Sequence, residues 1–305
     1  MSRNSRFGMA ALCAGVALLA GIASALGVFA RGDGTFETVI NERGVPYEMA
    51  TTGVYAFNAQ RVVAEGIGWD IFTLVVAVPA LVVAAVLVAR GSFRGWLLAV
   101  GLLGYFFYQY LEYAVTWAFG PLFLLFVVIY AASLAGMVWI GVNIAREGVA
   151  GRFGERFPRR SWAVLNIAMA AMLTLLWVQR VATALAGDLV AGGLTSETTM
   201  TVQALDLGLV VPTSVFIAVL AWRRSAAGYV LAAAYSVTFV AMASAIVGML
   251  LSAWAVEGTL EVAPVAIFGL AAAAAVALGA RMYRSVVPAV DNTPRAGTQP
   301  APAAV

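Results

Sequence analysis

The sequence contains no histidine and no lysine, and Cys13 is its single cysteine. Without imidazole, the chain lacks the side chain that most often ligates haem or zinc and serves in acid–base catalysis. Without lysine no Schiff base can form, which excludes a retinal photoreceptor linked through that residue. One cysteine supports neither an internal disulfide nor a Cys-x-x-Cys redox pair. We therefore predict no cofactor and no metal.

Charged residues are also scarce. Only 11% of the 305 residues are charged, whereas 63% are hydrophobic. A soluble domain is about 25% charged and about 45–50% apolar. Charge this sparse cannot cover the surface of a water-soluble protein of this length, so the solvent must be mostly lipid. The basic pI near 9.2 comes from arginines that membrane topology explains, and we predict no nucleic-acid partner.

Long apolar stretches predict an all-α fold, a polytopic transmembrane helix bundle. A spanning helix needs roughly 20 mostly apolar residues, and eight stretches of the sequence qualify. They lie at about 9–30, 70–89, 95–117, 120–144, 162–186, 202–222, 228–252 and 262–283.

The arginines predict how this bundle is oriented. Most of them precede the first stretch or lie in alternate connections, whereas the opposite side carries only Arg31, Arg43 and Arg61. Because cytoplasmic loops are enriched in arginine, we predict a protein of the cell membrane with both termini cytoplasmic. The alternative is a signal peptide cleaved after Ala30, but an apolar stretch of about 22 residues favours a retained anchor.

The two halves of the chain resemble each other. In each, a proline is followed 11 residues later by an arginine and 16 residues later by a glycine: Pro79, Arg90 and Gly95, then Pro212, Arg223 and Gly228. The segments that start at the glycines, Gly-Trp-Leu-Leu-Ala and Gly-Tyr-Val-Leu-Ala, also match. These spacings predict a 4+4 parallel internal repeat. The alternative is that proline, arginine and glycine recur near helix ends for generic reasons.

The repeat divides the chain into two four-helix membrane halves, 1–145 and 162–285, joined by a basic cytoplasmic linker at 146–161. The linker suits contact with anionic lipid head groups. The first half contains an outer loop, 31–69, in which Val54 to Glu65 has apolar residues at helical spacing. That segment predicts either a short helix across the outer mouth or a loop at the interface. Residues 286–305 are predicted to be disordered.

Four ionisable residues within the apolar stretches are not explained by the arginine-rich connections, and a charge at a helix centre costs about 2.5–3.5 kcal/mol. Glu112, Arg180 and Asp206 lie inside the third, fifth and sixth stretches, and Asp70 marks the outer end of the second. At 1.5 Å per residue, Glu112 lies about 25 Å above the inner face. Arg180 and Asp206 lie at a similar height, so we predict that one cation and two anions meet in the outer third of the bilayer.

Each of these charges continues a polar stripe of helical spacing, and such stripes face the interior of a bundle. The stripes contain Tyr105, Tyr108, Gln109 and Glu112 in the third stretch, Trp177 and Arg180 in the fifth, and Gln203 and Asp206 in the sixth. They predict an outward-facing polar cavity for a small-molecule ligand. The alternative is that Glu112 and Arg180 neutralise each other, while Asp206 reaches the outer water. Gly101 and Gly104 predict close helix packing.

Three classes of function are compatible with these features. The best supported is a small-molecule transporter or permease, in which Arg180 holds an anionic group and Glu112 or Asp206 carries a proton. A sensor, assembly factor or complex subunit would instead need a stable protein partner and no cavity. An intramembrane enzyme acting on a lipid or an outer-face substrate would use Glu112 and Asp206 as acid and base. Because the sequence shows no nucleophile–base pair, an enzyme is the least favoured of these three classes.

Overall fold

The computed structural model describes residues 2–149 and 151–287. Within them the chain forms eight long helices and one β-hairpin. The helices are α1 (Arg3–Phe29), α2 (Gln60–Ala89), α3 (Phe93–Thr116), α4 (Phe123–Glu147), α5 (Arg159–Leu185), α6 (Thr201–Trp222), α7 (Ala226–Glu257) and α8 (Val262–Arg284), and the strands are β1 (Phe36–Ile40) and β2 (Pro46–Ala50). The predicted disordered tail lies outside the described residues from 288 onward.

Among the described residues, seven helices are long and apolar enough to cross a membrane, namely all of the eight except α3. The chain is therefore a multi-pass helical membrane protein. α3 is less apolar because it lies inside the bundle, where most of its side chains are buried, including Tyr105, Gln109 and Glu112. A helix surrounded by protein does not need a lipid-facing apolar surface.

α3 and α7 pack against each other at the centre of the bundle. Thr238 Oγ1 donates a hydrogen bond to the Gly101 carbonyl at 2.7 Å, and a side chain at Gly101 would overlap the backbone of Ala234. Gly104 faces Thr238 in the same way, so the predicted close packing at both glycines is confirmed. α2 and α4 flank α3, α6 and α8 flank α7, and α1 and α5 pack outside these pairs.

α2 and α6 each contain a π-helical turn, Thr73–Ala77 and Asp206–Val210. Val78 and Val211, which follow these turns, donate their backbone N–H to the carbonyl five residues back. The next residue in both helices is a proline, which has no N–H and crowds the preceding turn. The wider π turn accommodates the proline and lets each helix continue to the far end of the bundle.

The connections that follow α2 and α6 are also alike. Ser92 and Ser225 cap the next helices, because their Oγ atoms accept hydrogen bonds from Gly95 N and Gly228 N at 3.3 and 3.4 Å. The residue before each serine has a positive φ, 74° at Gly91 and 60° at Arg224. The same cap and the same tight turn therefore stand at equivalent places in the two halves.

The connection between α1 and α2 contains an antiparallel hairpin, in which Phe36 pairs with Ala50 and Ile40 with Pro46. Asn41 Oδ1 closes the turn by accepting the backbone N–H groups of Arg43 and Val45 at 2.8 and 2.9 Å. Extended residues on both sides of a turn ending in glycine are a hairpin signal. The all-helical prediction did not include this hairpin.

α2 begins at Gln60 rather than near residue 70, so Val54 to Glu65 does not form a separate helix across the outer mouth. Arg61 and Glu65 stay in the helix because they form an i,i+4 ion pair, with Nε and Oε1 2.9 Å apart. The prediction that Asp70 marks the end of the helix was therefore wrong. Asp70 lies about 15 Å along α2 from its start and is fully buried.

Candidate functional site

A cavity of about 640 Å³ lies at the arginine-poor end of the bundle, the end that carries the connections 30–59, 117–122, 186–200 and 258–261. Its wall takes residues from α2, α3, α5, α6, α7 and α8 and from the connection between α5 and α6. Small-molecule sites usually occupy about 300–1,000 Å³. The cavity therefore has room for an organic ligand, and both halves of the chain build it.

Most of the predicted site residues line this cavity: Tyr108 and Glu112 from α3, Trp177 and Arg180 from α5, and Gln203 and Asp206 from α6. Glu112 is 7% exposed and Asp206 is 9% exposed. Both carboxylates thus belong to the wall of the cavity rather than to the outer surface. The polar stripes of three helices converge on one site because each stripe faces the bundle interior.

Two neutral donors hold Asp206. Tyr108 Oη donates a short hydrogen bond to Asp206 Oδ1, and Trp177 Nε1 donates to Oδ2 at 2.8 Å. Asp206 is also the first residue of the π-helical turn in α6. The Asp206 carboxylate is therefore held inside the bundle, on the wall of the cavity.

Glu112 makes no hydrogen bond and no ion pair with any other described residue. The acidic groups near it are those of Asp206 and Glu65. Arg180 does not neutralise it, because its guanidinium carbon lies over the Trp177 ring, 5.3 Å from the centroid, and its side chain is exposed. The alternative of a Glu112–Arg180 ion pair is therefore wrong.

An ion cluster around Arg61 lies at the rim of the cavity. The Arg61 guanidinium contacts three carboxylates: Glu65 at 2.9 Å, Glu257 at 3.2 Å and Glu261 at 2.7 Å. It joins the start of α2 to the end of α7 and the start of α8. The sequence analysis did not assign these residues to the site. The only signal was that Arg61 is one of few arginines at this end, where two glutamates flank the turn after α7.

The β-hairpin holds the connection between α5 and α6 against the cavity. Asn41 Nδ2 donates to the Thr195 carbonyl at 2.5 Å, and the Arg43 guanidinium donates to the carbonyls of Glu197 and Thr198 at 3.0 and 2.7 Å. Thr195 and Glu197 are themselves part of the cavity wall. The β-hairpin, which belongs to the first half, thereby positions a wall segment of the second half.

The other predicted site residues, Asp70, Tyr105 and Gln109, lie outside the cavity in a sealed polar cluster between α2 and α3. Thr73 Oγ1 lies 2.6 Å from Tyr105 Oη and 3.0 Å from Gln109 Oε1. Tyr55 Oη donates a short hydrogen bond to Asp70 Oδ2. Asp70, Thr73, Tyr105 and Gln109 have no solvent exposure, so a ligand in the cavity cannot reach them.

Two glycines let neighbouring helices pack closely against α2, and the first of them lies on this cluster. A side chain at Gly27 of α1 would overlap the Asp70 carboxylate and the Tyr55 hydroxyl. A side chain at Gly68 of α2 would overlap the backbone of Gly248 in α7. Small residues let helix backbones approach this closely in a membrane. The cluster is therefore sealed by packing.

The chain matches no protein-family model, no curated protein and no solved structure. In the described ranges, 2–149 and 151–287, no group of three or more metal-ligating side chains is placed to hold a metal ion. What the cavity offers is a set of carboxylates, aromatic rings and methionines around one open space. That chemistry suits the binding of an organic molecule.

Proposed function

We propose that the protein is a transporter or permease for a small organic molecule that binds in this cavity. The observation that carries the proposal is Glu112, a buried carboxylate without a partner among the described residues, on the wall of a cavity large enough for such a ligand. An unpaired carboxylate in a membrane helix is costly, and such residues mark substrate or ion pathways. A scaffold for other proteins would need no such cavity, which favours transport over an assembly role.

The proposal includes an eight-span topology with α3 as the span that the others surround. An even number of spans puts both termini on the arginine-rich side, which the positive-inside rule makes cytoplasmic. The cavity then opens at the outer face of the cell membrane. The basic linker at 146–161 would face anionic lipid head groups, and it is anchored there by stacking of Phe157 on Tyr229, with ring centroids 4.4 Å apart.

A 4+4 repeat is the second part of the proposal. The shared π-helical turns, serine caps and tight connections support it. The similar placement of helices around α3 and around α7 supports it as well. In parallel-repeat transporters the binding site lies between the halves, and transport follows from rocking of one half against the other. The cavity described above is walled by both halves.

Flux into proteoliposomes tests the proposal. The purified full chain is reconstituted, and uptake of benzyltrimethylammonium, benzylsulfonate and mannitol is measured, one probe for each charge class. We expect at least one probe to enter faster than in protein-free vesicles. Glu112→Gln and Asp206→Asn should each lower that rate about tenfold, the effect of losing roughly 1.4 kcal/mol of binding.

Glu48→Gln is the matched control, because Glu48 lies on the β-hairpin and accepts a hydrogen bond from Thr38 outside the cavity. Its uptake rate should equal that of the wild type. If no probe enters faster than into empty vesicles, or if Glu112→Gln transports normally, the proposal is wrong.

A further inference from the structure

We infer that the ligand of this cavity is an amphipathic organic cation, with its positive group beside Glu112 and Asp206 and its apolar part against the aromatic wall. This inference takes the location of the site from the proposed function and adds the charge and chemical class of the ligand. It replaces the sequence-based expectation that Arg180 holds an anionic group.

The charges of the wall are unbalanced. Among the residues that the structure describes, it contains five carboxylates and two guanidinium groups: Glu65, Glu112, Glu197, Asp206 and Glu261, with Arg61 and Arg180. Arg61 is already bound to Glu65, Glu257 and Glu261. Arg180 is exposed and lies over an aromatic ring rather than beside a carboxylate. Positive charge is thus what the interior of the cavity lacks.

The two most buried carboxylates of the wall, Glu112 and Asp206, are neighbours, and no cation is paired with either among the described residues. Tyr108 connects them, since its hydroxyl binds Asp206 and it lies one helical turn from Glu112 on α3. The donors to Asp206 are a phenol and an indole, which are neutral and bring no positive charge to it. Removing one partner of a buried ion pair leaves a charge that is costly to bury. A bound cation would supply the missing partner.

The rest of the wall is aromatic or contains methionine. Trp69, Tyr235, Phe239 and Phe268 line the cavity together with Trp177, and so do Met169, Met242 and Met249. Aromatic faces attract organic cations by about 0.5–2 kcal/mol each, and methionine adapts to ligands of irregular shape. A bare inorganic ion would use neither this apolar surface nor a volume of about 640 Å³.

Equilibrium binding to the purified full chain in lipid nanodiscs tests the inference. Benzyltrimethylammonium and benzylsulfonate carry the same ring and opposite charges, and binding of each is measured by calorimetry. We expect the ammonium to bind at least about tenfold more tightly than the sulfonate, which corresponds to roughly 1.4 kcal/mol. Equal binding of the two probes, or tighter binding of the sulfonate, overturns the inference, and this comparison needs no variant to fold.

Variants then locate the ammonium group. Glu112→Gln should weaken ammonium binding about tenfold, and Arg180→Ala should tighten it because a like charge is removed. Glu257→Gln is the control: it removes one negative charge from the rim ion cluster without changing a wall residue. An unchanged affinity in Glu112→Gln, or an equal loss in Glu257→Gln, overturns the placement of the cation beside Glu112.

The binding experiment and the flux experiment test different claims, so each claim can be wrong while the other stands. If the ammonium binds in the cavity but does not cross the membrane, the proposed transport function is wrong and the ligand class stands. If the sulfonate crosses and the ammonium does not bind, transport stands and the ligand class is wrong.

Discussion

The two proline-containing helices, α2 and α6, have the same local structure but different surroundings. Each contains a π-helical turn before its proline and ends in a serine-capped connection. α2 packs along much of α7 and seals a polar cluster against α3. α6 touches α3 only near its first turn, and the cavity occupies the space between them.

The contact between α2 and α7 includes a pair of glycines that the contact between α6 and α3 lacks. Gly68 of α2 lies against the backbone of Gly248 in α7. Thr201 stands as far before Pro212 as Gly68 stands before Pro79, and Val115 of α3 corresponds in the same way to Gly248. Small residues permit close backbone approach in membranes, whereas α6 meets α3 through the side chains of its first turn, Thr201–Leu205. The groove between α2 and α7 is closed, and the groove between α6 and α3 contains the cavity.

The polar residues of the two grooves also correspond. Thr73 and Asp206 are the first residues of the two π-helical turns. Thr73 meets Tyr105 of α3, and Asp206 meets Tyr108, three residues further along the same helix. Similar positions thus serve packing in one groove and a charged wall in the other. The predictions below test this contrast, starting with the largest effect.

Placing a large side chain at a glycine contact should have the largest effect on stability. We expect Gly68→Leu to lower the free energy of unfolding by about 1–3 kcal/mol, because the new side chain overpacks the contact with Gly248. Thr201→Leu at the corresponding position should change it by less than about 0.5 kcal/mol. Thermal unfolding of the purified variants in one detergent measures both. Similar melting temperatures for the two variants would remove the distinction between a closed and an open groove.

Removing a carboxylate should destabilise the closed groove more than the open one. We expect Asp70→Ala to cost about 1–3 kcal/mol, because it leaves the Tyr55 hydroxyl buried without an acceptor. Asp206→Ala leaves Tyr108 and Trp177 beside an open cavity, where water can replace the carboxylate, so its cost should be smaller. Denaturant unfolding compares the two, with ligand binding lost only in Asp206→Ala. The reverse order of stabilities would mean that the cavity is not accessible to water.

Detaching the β-hairpin from the connection between α5 and α6 should increase amide exchange in that connection alone. Arg43→Ala removes the hydrogen bonds to the Glu197 and Thr198 carbonyls. Amide exchange in 194–200 should then rise about tenfold, while exchange in α2 stays unchanged, because local opening depends on local contacts. Mass spectrometry of exchanged peptides measures both. Unchanged exchange in 194–200 would show that the hairpin does not hold this segment.

Neutralising a rim glutamate should have the smallest effect. Glu257→Gln removes one of three partners of Arg61, and partly exposed ion pairs contribute about 0–1 kcal/mol. We expect a shift of the melting temperature that disappears in high salt, because salt screens exposed charges. A larger loss that salt does not reduce would mean that the Arg61 cluster is essential for closing the bundle at this end.

Much of this architecture could be predicted from the sequence. Apolar length predicts the spanning helices, and the polar stripes predict that Glu112, Trp177, Arg180 and Asp206 face one interior. The hairpin was missed because its strands lie in the polar outer loop 31–69, where only apolar residues at helical spacing were taken as a structural signal. Asp70 was misplaced because hydropathy does not detect the polar first turns of α2, which Arg61 and Glu65 stabilise as an ion pair.

The sequence by itself determined that the chain is a membrane protein, because its few charges cannot cover the surface of a water-soluble protein. It also determined which side of each polar helix faces inward, since side-chain direction follows helical period. Only the tertiary structure decided which inward-facing residues share a cavity. That choice depends on how closely two helices approach, and contacts such as Gly68 against Gly248 join residues far apart in the chain.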